Sequence, residues 1–284
     1  MALAFMLAAG GVLAGLLGMI PLIRPATPAA SPVMIAHALG TVDDLTYTDS
    51  REAFAASVRR GFRWFEVDLV ETRDGRLVAC HTLGPLTKEL GSTLHIGELT
   101  HQQFMAGRLY GRYTPLDLEG VLALVEQHPE IRLILDVKNS ANRIQDDDLG
   151  HSPEAYRRIH RKIWAALKSR TPEVIGRVYP QLYAPADADI LRREAGYVHW
   201  IFTTYRFHAA DQEIIAAAAR DPQMVAVAFE KKRFRQATAE RLRVLGKGIW
   251  IFVVNEEDQA STLTSLGADG FYTDFLPADF APSP

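Results

Sequence analysis

The chain has 284 residues, of which 48% are hydrophobic, and its formal net charge is −3. This length is ample for one large core, since single barrel domains routinely reach it. A slightly acidic chain lacks the basic face that nucleic-acid binding needs, so we expect no nucleic-acid partner. The single cysteine, Cys80, excludes an internal disulfide, and we expect it to be a small buried hydrophobic side chain.

The first 23 residues form an apolar segment without a charged side chain, and Arg24 is the first charge. About twenty apolar residues can span a bilayer, whereas the apolar region of a signal peptide is shorter. No Lys or Arg precedes the run, and Pro21 with four glycines weakens a stiff helix. We expect a membrane anchor or a cleaved signal peptide, followed by a linker over residues 24–32, which predicts a membrane-anchored or exported protein. A buried N-terminal helix or a misassigned start is the alternative.

From residue 33 to residue 284, strand-like apolar runs alternate with amphipathic helix-like runs. The predicted strands cover residues 33–37, 64–70, 132–138, 178–183, 200–204, 225–229, 249–254 and 270–273. The predicted helices cover residues 51–60, 116–127, 153–168, 187–194, 209–220, 237–245 and 258–266. Such alternation indicates parallel strands, and eight of them predict an α/β fold, a closed (β/α)₈ TIM barrel in a single domain. The active site of such a barrel lies at the C-terminal ends of the strands.

The sequence also predicts how two helices begin and where two charged segments lie. Asp49, with Glu52 three residues later, is predicted to cap the first helix, and Pro115 to occupy the first turn of the second. The acidic run at residues 146–148 is interpreted as solvated surface, with calcium binding as a weaker alternative. The basic residues of the helix at 153–168 are interpreted as its wet face.

The predicted strand 64–70 carries two carboxylates on one face. Its odd-numbered positions are apolar, and Glu66 and Asp68 lie together on the other side, about 7 Å apart along the strand. Two like charges in a half-buried strand are costly unless something positive compensates them, and a divalent cation with oxygen ligands would do so. The pair Asp74-Gly75 predicts a tight turn whose returning strand delivers His81. An edge strand with a solvated acidic face is the alternative.

The predicted strand 132–138 repeats this pattern. Asp136 and Lys138 would point into the barrel, either as a structural ion pair or beside Glu66 and Asp68 as part of a metal site. His37 ends the first predicted strand, where a single histidine is commonly structural. Together these positions place two histidines, three carboxylates and one lysine in the first third of the barrel.

Five segments now resemble a known family. The segments are IAHALG, YTDSREAF, GFRWFEVDLVETRDGRLVACH, LDVKN and GADGFYTDF. They resemble the glycerophosphodiester phosphodiesterases, which belong to a wider group of phosphatidylinositol-phospholipase-C-like barrels. The resemblance runs from about residue 33 to the C-terminus, although it is thin in the middle. It implies the barrel fold and a phosphodiester substrate, either a small glycerophosphodiester or a lipid.

The same resemblance implies a role for each matched residue. It assigns general acid–base catalysis to His37 and His81, one divalent cation (Mg²⁺ or Ca²⁺) to Glu66, Asp68 and Asp136, and substrate binding near the phosphate to Lys138. Two neighbours depart from the pattern. Ala38 stands where the family has an Arg that helps hold phosphate, and Thr82 stands where it has an Asp that helps orient the imidazole.

These departures leave the exact substrate and the activity open. Asp136 replaces the usual Glu, which is similar to sphingomyelinase-D-like enzymes, so a phospholipase of that type is one alternative. A non-catalytic barrel that binds at a membrane surface is another. A metal-dependent amidohydrolase would need a His-x-His pair on the first strand, and Ile35 and Leu39 flank His37 instead.

Several other side chains are candidates for the surroundings of the site. Asn255 and Asp274 end the last two predicted strands and could support catalysis or contact substrate. Three aromatic residues could line a pocket, namely Tyr205, Trp250 and Tyr272. Aromatic side chains at such positions more often pack in the core. A basic run at residues 231–235 could meet lipid headgroups, with a solvated loop as the simpler interpretation.

Overall fold

The computed structural model describes residues 31–138, 152–205 and 210–282. The strands in these ranges are β1 (Val33–Ala36), β2 (Trp64–Glu71), β3 (Leu77–Ala79), β4 (Arg132–Val137), β5 (Val178–Leu182), β6 (Trp200–Thr203), β7 (Met224–Glu230), β8 (Gly248–Phe252) and β9 (Gly270–Thr273). The helices are α1 (Arg51–Arg59), α2 (Thr87–Leu90), α3 (His101–Ala106), α4 (Leu118–Gln127), α5 (Pro153–Leu167), α6 (Pro172–Ile175), α7 (Asp187–Glu194), α8 (Asp211–Arg220), α9 (Gln236–Val244) and α10 (Glu257–Ser265).

Eight of these strands close into a parallel barrel. The order is β1-β9-β8-β7-β6-β5-β4-β2, and a further parallel pairing between β1 and β2 closes the ring. The short β3 is antiparallel to β2 and stands outside the parallel ring. The predicted (β/α)₈ barrel is therefore confirmed, with strand boundaries that differ from the predicted ones by at most two residues.

Alternation along the strands sends apolar side chains to both faces of the barrel wall. Phe65, Val67 and Leu69 are fully buried between the barrel and its helices. On the inside, a second cluster that includes Ile134, Trp250 and Tyr272 fills the barrel. Apolar side chains fill the interior, and the polar side chains that face inward lie at the C-terminal ends of the strands, as expected for this fold. Trp250 belongs to this packing and does not line the cavity described below.

The sequence pattern did not predict a helix or a strand for the segment between β3 and α4. It contains α2, α3 and a 3₁₀ turn at Ile96–Glu98, packed on a small separate core that includes Val70, Leu86 and Phe104. Cys80 belongs to that core, and burial raises the pKa of its thiol. The interpretation of Cys80 as a buried hydrophobic side chain is confirmed.

Helix α1 begins at the predicted residue, but its predicted cap and the predicted start of α4 are wrong. The side chain that caps α1 belongs to Ser50, whose Oγ accepts a hydrogen bond from the backbone N of Ala53 at 3.1 Å. Helix α4 begins at Leu118, beyond Pro115, because the carboxylate of Asp117 accepts from the backbone N of Gly120 at 2.8 Å. The side chain of Asp49 does not cap α1, and it lies instead against the backbone of Asp68 in β2.

The basic face of α5 is more than a wet surface. Arg158 and Lys162 contact the buried carboxylate of Glu71 at 2.5 and 2.6 Å, which joins α5 to the end of β2. Burial works to raise the pKa of Glu71, but the hydrogen bonds from these two cations hold it below its usual value. Arg161 pairs with Glu194 of α7 at 2.7 Å, so this face also connects neighbouring helices.

Within the described ranges, no helix is long and apolar enough to cross a membrane. The predicted anchor or signal peptide at residues 1–23 lies outside those ranges, as does the predicted linker up to residue 30. The acidic run at residues 146–148 also lies outside them.

Candidate active site

The six predicted site residues meet at the C-terminal end of the barrel. Five of them line one cavity of about 250 Å³, namely His37, Glu66, His81, Asp136 and Lys138. Asp68 is almost fully buried beside them. The cavity is also lined by Gln181, Tyr205, Glu230, Phe252 and Tyr272.

Three carboxylates converge because β2 and β4 are adjacent and in register. Asp68 is paired directly with Asp136 across the two strands, and Glu66 lies one inward-facing position below Asp68. One oxygen from each carboxylate lies within 4.8 Å of the others. The three side chains are only 2%, 1% and 6% exposed in the order Glu66, Asp68, Asp136, so water screens their repulsion poorly.

Lys138 supplies positive charge between two of these carboxylates. Its Nζ lies 2.5 Å from Oδ1 of Asp68 and 2.6 Å from Oδ2 of Asp136. The phenol of Tyr205 donates to Asp136 at 2.8 Å, and the phenol of Tyr183 also donates to this carboxylate. Asp136 is therefore fixed from several sides.

Lys138 neutralises only part of the negative charge of this cluster. Burial raises the pKa of Glu66 well above its usual value, and the negative charges of Asp68 and Asp136 raise it further. Among the described residues neither oxygen of Asp68 has an aligned hydrogen-bond partner, since its contact with Lys138 is an ion pair only. Three buried carboxylates that converge, with both oxygens of Asp68 outside any hydrogen bond, suit a divalent cation, which prefers oxygen ligands.

Asp49 is a fourth buried carboxylate that the sequence analysis did not place here. It is fully buried, and its Oδ1 accepts a hydrogen bond from the backbone N of Asp68 at 3.2 Å. Burial raises the pKa of Asp49 well above its usual value, and the charge of Asp68 adds to this effect. Its other oxygen has no partner among the described residues. The YTDS segment was the available signal, but a loop position has no periodicity that reveals its direction.

The backbone after β1 turns sharply to present His37. Ala38 and Leu39 have positive φ values of 48° and 63°, and Gly40 follows at 96°. A Cβ on Gly40 would lie 2.0 Å from Oγ of Ser57, so only glycine fits at this position. The turn directs the backbone N of Ala38 onto Oε2 of Glu66 at 2.8 Å, which ties the first strand to the carboxylate cluster.

Asp274 orients the imidazole of His37. The Nδ1 atom of His37 lies 3.0 Å from Oδ1 of Asp274, and Asn255 donates its side-chain amide to Oδ2 at 2.9 Å. Burial works to raise the pKa of Asp274, but the hydrogen bond and charge of His37 hold it below its usual value. Because the ionised Asp274 can only accept, Nδ1 carries a proton. The Nε2 atom is left at the cavity, 3.9 Å from Glu66.

His81 faces His37 across a tyrosine. The two imidazole centroids are 6.2 Å apart, and the ring of Tyr47 lies 5.0 Å from His37 and 4.5 Å from His81. Burial lowers the pKa of His81, which favours the neutral imidazole. Thr82 donates to Glu89 at 2.6 Å, so the ring contact with Tyr47 holds His81 instead. Tyr47, in a loop with positive φ, was missed by the sequence analysis.

The rest of the cavity wall combines aromatic rings with one buried acceptor. Tyr205 and Tyr272 line the cavity, as one of the two interpretations of these residues expected. Gln181 is 4% exposed, and its Oε1 has no hydrogen-bond partner among the described residues. Leaving a buried acceptor without a hydrogen bond costs about 1–3 kcal/mol. A hydroxyl group of a bound molecule could donate to this oxygen and remove that cost.

Comparison with protein families identifies this architecture. A sequence model of the glycerophosphoryl diester phosphodiesterase family matches residues 44–278. The chain belongs to this family. It is therefore a phosphoric diester hydrolase, as the motifs predicted, and the predicted enzyme class is confirmed.

Solved structures of family members share the fold at low identity. The glycerophosphodiester phosphodiesterase of Parabacteroides distasonis is 17% identical, with a TM-score of 0.63, 86% of this chain covered and 94% of its own. The Thermotoga maritima enzyme is 14% identical, with a TM-score of 0.61 and coverages of 86% and 95%. An Oleispira antarctica phosphodiesterase, solved with the product sn-glycerol-3-phosphate, is 16% identical, with a TM-score of 0.67 and coverages of 88% and 95%. A comparison with curated proteins found no match.

These findings separate the fold from the residue roles. The structural likeness at such identities shows the fold, and the family match shows the class of enzyme. A cluster able to hold a metal ion is present, whereas the choice between Mg²⁺ and Ca²⁺ and the individual roles of the six residues stay predictions.

The carboxylate cluster should bind one divalent cation. We expect calorimetry with Mg²⁺ and Ca²⁺ to give one site in the wild-type protein and at least tenfold weaker binding in Asp68→Asn, which keeps the shape and removes the charge. The matched control is Asp274→Asn, which lies outside the cluster and should keep the affinity. Equal affinity in wild type and Asp68→Asn would exclude this cluster as the metal site.

Proposed function

We propose that the protein is a metal-dependent glycerophosphodiester phosphodiesterase that works by general acid–base catalysis from two histidines. The observation that carries this proposal is the geometry of the cavity. Two imidazoles, 6.2 Å apart, face three buried carboxylates and one lysine. Those groups match the two needs of phosphodiester cleavage, which are neutralised phosphoryl charge and a protonated leaving oxygen.

The metal ligands in this proposal are Glu66, Asp68 and Asp136. A divalent cation bound there supplies Lewis-acid polarisation of a phosphoryl oxygen. Lys138 already neutralises part of the cluster and can offer its ammonium to a second phosphoryl oxygen. Asp49 supports the backbone of Asp68 from behind.

The two histidines suit different proton transfers. The lowered pKa of His81 leaves it neutral near pH 7, so it is the group that can accept a proton at the start of the reaction. The ionised Asp274 accepts from Nδ1 of His37 and so aims Nε2 into the cavity. His37 is therefore the group that donates a proton to the leaving alcohol.

The attacking oxygen comes from the substrate itself in this scheme. Cys80 is buried in the separate small core, and Thr82 donates to Glu89, so neither offers a nucleophile. His81 takes the proton of a neighbouring substrate hydroxyl while a new P–O bond forms. The P–O bond to the leaving alcohol breaks, and that oxygen receives the proton of His37. Water then opens the cyclic phosphate with the histidine roles reversed.

The proposed substrate carries a hydroxyl next to its phosphodiester. The Oleispira relative contains sn-glycerol-3-phosphate, which supports a glycerol phosphodiester for this chain too. The unused Oε1 of Gln181 gives a hydroxyl of such a substrate an acceptor. A sphingomyelinase-D-like lipid activity is the second candidate because Asp136 stands at the third ligand position, and a screen of phosphodiesters with Mg²⁺ and Ca²⁺ separates the two.

Replacing either histidine should remove most activity. General acids and bases contribute about 10²–10⁴-fold, so we expect losses of that size in His37→Ala and His81→Ala, with the fold retained by circular dichroism. His128→Ala is the control, since His128 pairs with Glu130 away from the cavity. Near wild-type rates in either site variant would return that histidine to a structural role.

A cyclic phosphate should appear during turnover. Holding the hydroxyl near phosphorus makes the step intramolecular, which can contribute about 7–11 kcal/mol. Phosphorus NMR should detect the cyclic species with a glycerophosphodiester, and an analogue with hydrogen in place of the 2-hydroxyl should react far more slowly. Equal rates for both compounds, with no cyclic species, would favour direct attack by water.

We also propose that the apolar residues 1–23 anchor the protein at the membrane or direct its export. The support is their length and lack of charge. A fusion reporter that is active only outside the cytoplasm should be active on the full chain and inactive when these residues are removed. Full-length protein recovered from the cytoplasmic fraction would contradict the proposal.

A further inference from the structure

Most of the exposed large apolar side chains lie at the end of the barrel opposite the cavity. Six such side chains are exposed among the described residues, and four of them lie where a helix leads into the next strand, namely Val198, Val244, Leu245 and Leu266. Val244, the last residue of α9, is 87% exposed. Because these connections enter β6, β8 and β9 at their first residues, the four side chains lie at the N-terminal end of the barrel.

Three of these residues, Val244, Leu245 and Leu266, form a group that we call the basal patch. The strands that they precede, β8 and β9, are neighbours, so the ends of α9 and α10 lie side by side. The guanidinium of Arg243 donates to the carbonyl oxygen of Gly267, which joins the two helix ends directly beside the patch. Single exposed apolar side chains are common, whereas a group of them is typical of a surface that contacts a partner or a membrane.

Unpaired arginines accompany the basal patch. Four exposed arginines lie in the last turns of α7, α8 and α9 and have no ion-pair partner among the described residues, namely Arg193, Arg220, Arg241 and Arg243. Cations at helix C-termini are favoured by the helix dipole, which explains their positions but leaves their charge available.

The acidic side chains at the same end are already engaged. Glu194 pairs with Arg161 at 2.7 Å, Asp221 pairs with Arg192 at 2.8 Å, and Asp269 accepts from the backbone N of Ile249 at 2.7 Å. The N-terminal end of the barrel therefore combines exposed apolar side chains with positive charge that no neighbouring carboxylate balances. Such a surface is complementary to an anionic layer with an apolar interior.

The N-terminal part of the chain reaches the barrel at this end. The backbone N of Val33, which begins β1, donates to the carbonyl oxygen of Asp269 at 2.9 Å. Asp269 follows Leu266 by three residues, in the connection that carries part of the basal patch. Residues 24–32 join the apolar segment 1–23 to this point, and nine residues reach at most about 30 Å. A tether of this length raises the effective concentration of the patch at any surface that holds residues 1–23.

We propose that the basal patch and its four arginines rest on the headgroup region of an anionic bilayer, with the cavity turned away from it. This inference rests on the membrane anchor proposed for residues 1–23 and adds the orientation of the barrel. The apolar side chains enter the boundary between headgroups and acyl chains, and the guanidinium groups pair with lipid phosphates. Because the cavity lies at the C-terminal ends of the strands, the barrel itself separates it from the bilayer.

Fluorescence quenching on the full chain decides the orientation. Cys80 is 5% exposed and burial raises the pKa of its thiol, so a thiol-reactive fluorophore labels an added surface cysteine instead. Val244→Cys carries the fluorophore on the basal patch, and Lys231→Cys carries it after β7, at the cavity end. In vesicles of phosphatidylcholine and phosphatidylglycerol with nitroxide-labelled headgroups, we expect severalfold stronger quenching at position 244 than at position 231. Equal or reversed quenching would overturn the proposal.

Matched charge removals test the arginines. Arg220→Gln combined with Arg241→Gln removes two unpaired charges at the basal end and should weaken the quenching at position 244 severalfold, as should the omission of phosphatidylglycerol. Lys231→Gln combined with Lys232→Gln removes two charges at the cavity end and should leave the quenching unchanged. Hydrolysis of a soluble glycerophosphodiester should be unchanged in the arginine variant, which separates the membrane contact from the reaction. Equal effects of the two charge removals on the quenching would overturn the proposed contact.

Flotation with the same vesicles separates this inference from the proposed anchor. Full chain that floats in high salt without quenching at position 244 would keep the anchor and overturn the basal contact. Full chain that floats only with phosphatidylglycerol, is released by salt and shows the quenching would overturn the anchor and keep the contact. Failure to float with either lipid composition would overturn both. Self-quenching at position 244 that depends on protein concentration in the absence of lipid would assign the basal patch to a second copy of the chain instead.

Discussion

The structure depends on holding three acidic side chains together at the end of a barrel whose interior is packed with apolar side chains. Closure of the ring makes β2 and β4 neighbours, and their register sets Asp68 directly against Asp136. The interior cluster around Ile134 and Trp250 keeps water from reaching the pair from below. At low effective dielectric, such repulsion is several times stronger than in water. The bridging contacts of Lys138 act directly against this cost.

The same constraint explains the distorted backbone beside the first strand. Ala38 and Leu39 adopt left-handed φ values that cost of order 1–3 kcal/mol each for residues other than glycine. In return, the backbone N of Ala38 reaches Glu66, whose pKa is raised by burial and by its acidic neighbours. The turn also brings His37 against Asp274. The strained turn after β1 therefore stabilises the carboxylate of Glu66 and also orients the imidazole of His37.

The sequence predicted the parts of the site that lie on regular strands. Alternation along 64–70 and 132–138 was enough to send Glu66, Asp68 and Asp136 to one side, and the rule for strand ends placed them together. Asp49 and Tyr47 escaped because they lie in a loop where several residues have positive φ, and a loop has no period from which a side-chain direction can be read. The misassigned cap has the same origin, since Ser50 and Asp49 are equally plausible caps on sequence alone. Likewise, the helices between β3 and α4 are too short to show a period.

The two departures from the family pattern are linked by charge and geometry. Position 38 combines a left-handed backbone with an N–H that donates to Glu66, so it supports the carboxylate cluster. Ala38 also brings no positively charged side chain to this turn. Thr82 donates to Glu89, so among the described residues His81 has no carboxylate hydrogen-bond partner, which agrees with its lowered pKa and with the base role proposed for it.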